Sequence, residues 1–376
     1  MSDTLLLITV FALSILFCGL ILLTGRYHHS ITNGMMIGFD SGPQHIHEKS
    51  VPRIGGLAIF LSLFLLVFFL PLPLLEKELT FLRYLILASI PAFGFGLIED
   101  FTQRVSVSMR LWGTIMAGVI ACLILRTSIY TIGVPSLDLL LANPFFTIVF
   151  TAFSVSGISN AINIVDGLNG LASTVCTFIM LTIAWMAFKA GDFSFVFILL
   201  LFIASLAGFL IFNWPSGKIF LGDGGAYFLG FIIAWFGIFL VQRNPQISPF
   251  AILVLCAYPI LEVLFSVIRR IAKRRSAGQP DREHLHQLAF LKLRAYLISR
   301  GYSGHAANSL IGVLISLSVV PCAVLAITYQ GQTKALVACF FALALGYIAF
   351  YKVLTLGHQS KRLKEAKQPI NPRTYE

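Results

Sequence analysis

The sequence predicts an all-α, polytopic membrane protein of about eleven transmembrane helices. Three observations carry that prediction. Of 376 residues, 57% are hydrophobic and only 11% charged, against about 25% charged in an ordinary soluble domain. Apolar runs of bilayer-spanning length follow one another along the whole chain. Ten-residue alternation, the mark of a membrane β-barrel, is absent.

The first run, Leu5–Thr24, is long enough to span a bilayer. No basic segment precedes it and Arg26 follows it, so it reads as an uncleaved first span rather than a signal peptide. Ten further spans follow near 54–74, 80–98, 111–128, 144–161, 170–189, 193–212, 226–242, 248–268, 306–328 and 333–351. An odd count puts the N-terminus outside, in the periplasm, and the C-terminus in the cytoplasm. Of the 27 Lys and Arg residues, only Lys77, Arg83, Arg126, Lys189, Arg243 and Lys334 then fall at outer ends. The positive-inside bias supports that orientation. The net charge of +11 is therefore mostly cytoplasmic. Part of it would face anionic lipid headgroups, and no nucleic-acid partner is expected.

The outer loops are short, and Thr127–Asn143 alone has room for a small hairpin. No repeat, low-complexity tract or soluble domain is evident. The chain reads as one membrane domain over residues 1–376, with Ile271–Gly304 its longest polar insertion. All six cysteines lie in apolar stretches without a CxxC pair, as fillers of helix interfaces.

Unusual residues gather at the inner ends of the spans. Glu99 and Asp100 close the third span. Adjacent helical residues point about 100° apart, so at most one faces a given centre; a solvated helix end would look the same. NAINIVDGLNG at Asn160–Gly170 sets Asn160, Asn163 and Asp166 three apart, on one helical face. Amide and carboxylate oxygens suit Mg²⁺ rather than zinc. FNWPSGKIFLGDGG at Phe212–Gly225 places Asp223 among glycines whose backbone N–H groups can cradle phosphate, at the start of the next span. Lys218 precedes it by five residues, and Phe220 could stack on a base or anchor at the interface. PDREHLHQ holds Arg282, His284 and His286. Spacing of i, i+2 is poor for two zinc ligands on a helix, so these read as anion binders or a solvated basic loop. Glu262 lies about two turns inside the ninth span. It needs a cavity, a partner such as an Arg, or a proton.

Taken together, these residues resemble the polyprenyl-phosphate N-acetylhexosamine-1-phosphate transferases, a superfamily that includes the phospho-MurNAc-pentapeptide translocase. NAINIVDGLNGLA is similar to the family's N-x-x-N-x-x-D-G-x-D/N-G-L. FNWPSGKIFLGDGG is similar to F-N-x-x-P-x-K-x-F-x-G-D-x-G, with its proline one place early. PDREHLHQ resembles P-D-R-x-H-x-H-H, and PRIGG at Pro52–Gly56 fits the early loop.

That resemblance implies transfer of a sugar 1-phosphate from a UDP-N-acetylhexosamine to undecaprenyl phosphate, with UMP leaving. It implies Mg²⁺, or Mn²⁺, held by Asn163 and Asp223. Asp100, Asp166 and Glu99 match the family's carboxylates, Asp100 as a candidate to accept the lipid phosphate's proton. Phe220 and Asn169 would hold uracil. Lys49, Arg53, Asn160, Lys218, Arg282, His284 and His286 would contact substrate, with Arg110 a further phosphate partner. The segment 271–304 would recognise the sugar. The expected setting is the bacterial inner membrane, with the site on its cytoplasmic face, in a monomer or homodimer. Glu99 in place of Asp, Asn169 in place of Asp and Gln287 in place of His depart from the peptidoglycan translocase. They suggest an enzyme priming O-antigen, teichoic acid or a capsule-like polymer. A secondary transporter, or a non-catalytic lipid-binding member of the fold, is the competing expectation.

Overall fold

The structure, a computed structural model, describes residues 2–35, 51–273 and 283–366, with 25–35 and 357–366 as backbone alone. Sixteen α-helices and no strand occur among the described residues. Among the described residues, nine helical stretches are long and apolar enough to span a membrane. A tenth crossing is a broken one, α11 (Pro249–Leu255) and α12 (Ala257–Ala272), which meet at 73°. The expected eleventh span, 54–74, is the short apolar helix α2 (Gly55–Phe69), so nine or ten crossings stand against the expected eleven. It has only 15 residues, shorter than the nine long spans and the bent pair.

Local chemistry sets the boundaries. The third span is two helices, α3 (Glu76–Ala88) and α4 (Ile90–Thr102), interrupted at Ser89 just before Pro91. Proline cannot donate into the helical ladder, and the Ser89 hydroxyl bonds back to the Ile86 carbonyl at 2.6 Å. Ser106 starts α5 (Val107–Leu125) by accepting from the Met109 N–H at 3.2 Å. Asn143 and Pro144 start α7 (Pro144–Val165), and Asp192 starts α9 (Phe193–Asn213). Between α5 and α7 stands a short helix, α6 (Pro135–Leu141), in place of the expected hairpin. Asp138 organises that loop by accepting from Ile132 N–H at 2.7 Å and Gly133 N–H at 3.1 Å.

The centre of the bundle is α10 (Gly222–Arg243), buried along nearly its whole length and wrapped by α2, α4, α7 and α8 (Leu171–Lys189). A helix apolar on every side belongs in such a place. Between helices immersed in lipid, close packing and small residues replace the hydrophobic drive. Phe60 and Phe93 stack at 4.3 Å beside α10, and Phe228 meets Phe60 edge-on at 5.3 Å. Ser62 and Ser205 share a hydrogen bond of 2.7 Å between α2 and α9.

The two ends of the bundle differ in kind. At one end Arg243, closing α10, pairs with Asp192 at 2.5 Å and Glu78 at 3.4 Å, pinning the starts of α9 and α3. At the other end lie the start of α2, the end of α4 and the first turn of α10. The polar insertion 271–304 is not a loop throughout: α12 continues to Ala272, and α13 (Leu285–Ser299) packs on α14 (Gly304–Ser316) and α16 (Thr333–Ala366). Helix α15 (Val319–Thr328) completes the penultimate span.

Candidate active site at the start of α10

The first turn of α10 is the hub. Asp100, near the end of α4, accepts the Asp223 N–H on Oδ1 at 2.8 Å and the Gly224 N–H on Oδ2 at 2.9 Å. A carboxylate thus satisfies two N–H groups that a helix start leaves unpaired, at the positive end of the helix dipole. Gly222 makes the approach feasible. Its φ of +78° suits glycine, and a Cβ there would lie 2.6 Å from Asp100 Oδ2 and closer still to the Arg53 carbonyl. On the opposite flank a Cβ on Gly96 would come within 2.5 Å of Gly224 N, so α4 meets α10 backbone to backbone.

The PRIGG segment pairs with the approach to α10. Phe220 N–H donates to the Pro52 carbonyl at 2.9 Å, Gly55 N–H to Phe220 at 2.9 Å, and Gly56 N–H to Leu221 at 2.8 Å. This strap carries Arg53 to the hub, where its guanidinium acts on both Asp100 and Asp166. It also anchors the start of α2 at this end.

Helices α7 and α10 run antiparallel, and the fold brings Asp166 beside Asp223, with Asn163 at a similar height on α7. Gly230 of α10 sits against Ser159 of α7: a Cβ on that glycine would reach Ser159 Cα at 2.5 Å. Asn163 is one turn beyond Ser159 on the same face. At 1.5 Å per residue it lies about 6 Å nearer the polar end, and Asp223 about 10 Å nearer. Asn163 and Asp223 are thus within about one turn of each other in height. Asp166, the first residue past α7, reaches the level of Asp223, and the Gly222 amide approaches its carboxylate. Burial pushes the Asp166 carboxyl up to about 7; Arg53 pulls the other way, and the nearby Asp223 charge adds to the rise. Asp223 itself forms an ion pair with Arg110 of α5.

The two signature loops are tied to each other and to α14. Asn213 accepts the Gly170 N–H at 2.7 Å and donates to the Ile219 carbonyl at 2.9 Å. Asn169 is 2% exposed; its N–H donates to Asn308 Oδ1 at 2.8 Å and its side-chain amide to Ser309 Oγ at 3.2 Å. Ser309 also bonds the Pro215 carbonyl, and Trp214 Nε1 donates to the Ser309 carbonyl at 3.4 Å. Lys218 is exposed beside this bracket, and Phe220 is half-buried.

Two more predicted residues sit on the rim. His284 and His286 flank the start of α13 with their rings parallel, 5.6 Å apart. His286 is 1% exposed and abuts Gly167; a Cβ there would lie 2.8 Å from His286 Cδ2 and nearer still to Nε2. Burial lowers the His286 imidazole to about 4, Glu262 opposing and His284 adding, so it is neutral at neutral pH. The partner of Glu262 is this histidine pair together with the Leu285 N–H and Tyr347, rather than an Arg.

Two predicted residues spend their side chains on structure. Glu99 accepts the Val105 N–H at 2.8 Å and secures the turn after α4. Asn160 donates to the Ser156 carbonyl at 2.8 Å and to Thr114 Oγ1 at 3.3 Å, joining α7 to α5. Lys49 and Arg282 lie outside the described residues. Asn213, Asn308 and Ser309 were not singled out from the sequence. Asn213 stands in the F-N pair of its motif, whereas the α14 residues carry no local signal.

The donor set fits Mg²⁺ in kind. Its atoms are carboxylate and amide oxygens, and Mg²⁺ is commonly held by one or two carboxylates plus substrate phosphates. Among the described residues no three Asp, Glu, His or Cys side chains form a closed cage. The expected pair of ligands, Asn163 and Asp223, would not need one.

Fold and site define a class: a multi-span membrane protein with three aspartates and two arginines gathered at one end of its helix bundle. Residues 82–241, from α3 to the end of α10, match the model of glycosyl transferase family 4. A Bacillus subtilis (strain 168) protein named probable undecaprenyl-phosphate N-acetylglucosaminyl 1-phosphate transferase is 30% identical, over 73% of this chain and 74% of its own. The undecaprenyl-phosphate alpha-N-acetylglucosaminyl 1-phosphate transferase of Thermotoga maritima is 31% identical, over 75% of this chain and 85% of its own. A phospho-N-acetylmuramoyl-pentapeptide-transferase of Lactobacillus johnsonii is 26% identical, over 77% and 92%. The chain belongs to glycosyl transferase family 4, within the polyprenyl-phosphate sugar-1-phosphate transferase superfamily its motifs indicate.

Proposed function

We propose that this protein transfers N-acetylhexosamine 1-phosphate from a UDP-sugar to undecaprenyl phosphate, on the cytoplasmic face of a bacterial inner membrane. One observation carries the reading. Asp100, Asp166 and Asp223 converge with Arg53 and Arg110 on the first turn of one central helix, at the end of a lipid-immersed bundle. A lipid-borne phosphate and a water-borne nucleotide sugar can meet there.

In the reaction, an oxygen of the lipid phosphate bonds to the sugar-bearing phosphorus. The bond from that phosphorus to the bridging oxygen breaks, and UMP leaves with the electron pair. Two anions must approach, so the site must offset their repulsion. A divalent cation held by Asn163 and Asp223 would neutralise charge on the diphosphate when bound. Arg53 and Arg110 add fixed positive charge, and His284 and His286 close the rim. Asp100, its two oxygens engaged by backbone amides, holds the first turn of α10 in place rather than moving a proton. Asp166 is the carboxylate suited to take the lipid phosphate's proton, because it stands at the end of α7 beside Asp223 and, unlike Asp100, is not committed to capping two N–H groups of α10. Phe220, half-buried, would stack on the uracil, while Asn169, buried with its amide on Ser309, would shape that pocket from behind. The departures at Glu99, Asn169 and Gln287 favour a glycan-priming role over peptidoglycan synthesis.

The test is purified protein with undecaprenyl phosphate, Mg²⁺ and, in turn, UDP-GlcNAc, UDP-GalNAc and UDP-MurNAc-pentapeptide. UMP release and the mass of the lipid product are read together. A lipid diphospho-N-acetylhexosamine is expected. Absence of UMP with every donor would refute the reading and favour a transporter or a non-catalytic lipid binder.

A further inference from the structure

We infer that Glu262 is a positioning residue: from inside the broken α11–α12 crossing it fixes the start of α13, and with it the imidazoles of His284 and His286, against the Asp166–Asn169 loop. This inference rests on the proposed function for its catalytic consequence, though not for its geometry.

A carboxylate in a membrane crossing is costly unless it is partnered. Glu262 is 1% exposed, and both of its oxygens are used. Oε1 accepts the Leu285 N–H at 2.7 Å, and Oε2 accepts the Tyr347 hydroxyl of α16 at 3.0 Å. The same Oε1 faces His284 Nδ1 at 3.3 Å and His286 Nδ1 at 3.8 Å. Three groups of one short segment therefore converge on a single oxygen. A helix cap alone would need only the Leu285 amide. Turning Nδ1 of His286 toward the carboxylate leaves Nε2 as the ring atom that meets Gly167, next to Asp166. The crossing bends by 73° between α11 and α12, and α12 carries Glu262. Glu262 thus holds the His284 ring directly, at 3.3 Å, and the His286 ring through the Leu285 backbone and a carboxylate that its Nδ1 faces at 3.8 Å, beyond hydrogen-bond distance.

Glu262 is not the sole tie at this junction. Lys273 pairs with the Glu283 carboxylate at 2.6 Å, and Arg269 donates to the Glu283 carbonyl at 2.6 Å. The segment is thus expected to stay docked when Glu262 is truncated, while the imidazoles lose their orientation.

Two readouts test this in purified, monodisperse protein. The first is the diethyl pyrocarbonate reactivity of His286, followed by peptide mass spectrometry. It should rise about tenfold or more in Glu262→Ala and stay near wild type in Glu262→Gln, which keeps an acceptor for the Leu285 amide. The second is a double-mutant cycle on turnover. Glu262→Ala should lower kcat about tenfold to a hundredfold in the wild-type background, the cost of a misplaced positioning group, and by less than about twofold in His284→Ala/His286→Ala. Glu262→Gln should retain at least a third of the wild-type kcat. Unchanged His286 reactivity in Glu262→Ala, or equal losses in the two backgrounds, would overturn the inference. A wild type that releases no UMP but shows the His286 exposure would instead overturn the proposed reaction and leave the positioning geometry standing.

Discussion

Asp100→Asn separates two roles that the sequence merges. Each Asp100 oxygen accepts one backbone N–H, from Asp223 at 2.8 Å and Gly224 at 2.9 Å. An asparagine keeps one acceptor and turns an NH₂ donor toward the second N–H. One part-buried amide is then unpaired, at about 1–3 kcal/mol. Loss of negative charge at the helix start adds about 0.3–1 kcal/mol. The expected destabilisation is therefore about 1–4 kcal/mol, concentrated in the turn that carries Asp223. Thermal unfolding in detergent measures the first quantity and UMP release the second. A cap predicts a clear fall in unfolding temperature together with a loss of activity of about a hundredfold or more. An unchanged unfolding temperature with activity abolished would refute the capping role and return Asp100 to proton transfer.

Three further outcomes are expected. Gly167→Ala should cut turnover at least tenfold with little change in expression, because the new methyl enters the space of His286; retention of full activity would contradict that contact. Asn308→Ala leaves the buried Asn169 N–H without its 2.8 Å acceptor, at about 1–3 kcal/mol. Thermal protection by UMP should weaken in parallel, which calorimetric or fluorescence melting would detect. For His286 the folded imidazole is held at about 4 against an ordinary 6.5. The neutral form is favoured in the fold, so stability is full above pH 6.5 and falls as the pH drops toward 4. The loss is on the order of 3 kcal/mol. Asp166, raised to about 7, works in the opposite sense over part of that window. The readout is therefore the difference between wild type and His286→Gln at pH 7.5 and pH 5, where the variant should lose less stability.

Much of this molecule is legible in its sequence because lipid makes polar residues conspicuous. Asn163, Asp166 and Asp223 stand out between apolar runs, and the helical period alone puts Asn163 and Asp166 on one face. That Asp223 belongs beside them follows from antiparallel packing of α7 on α10, which a one-dimensional pattern does not contain. Gly96 illustrates what is hidden. In sequence it is an unremarked small residue; in space it is where α4 touches the first turn of α10 and brings Asp100 within bonding distance. Glu99 and Asn160 illustrate the converse, since their residue types suit a ligand while their hydrogen bonds serve the Val105 turn and the α5–α7 contact. Asn308 and Ser309 lie some 140 residues beyond the loop they hold. The span count was ambiguous for a related reason: α2 is short, and the α11–α12 crossing bends where length alone suggests a straight helix.

The binding of Mn²⁺ in the presence of UDP-GlcNAc, measured by electron paramagnetic resonance, addresses the convergence of α7 and α10 on one centre most directly. Wild type should bind one ion per chain, and Asn163→Ala and Asp223→Ala, on separate helices, should each lose it while remaining folded. Wild-type Mn²⁺ affinity in both variants would contradict a shared centre between the two helices.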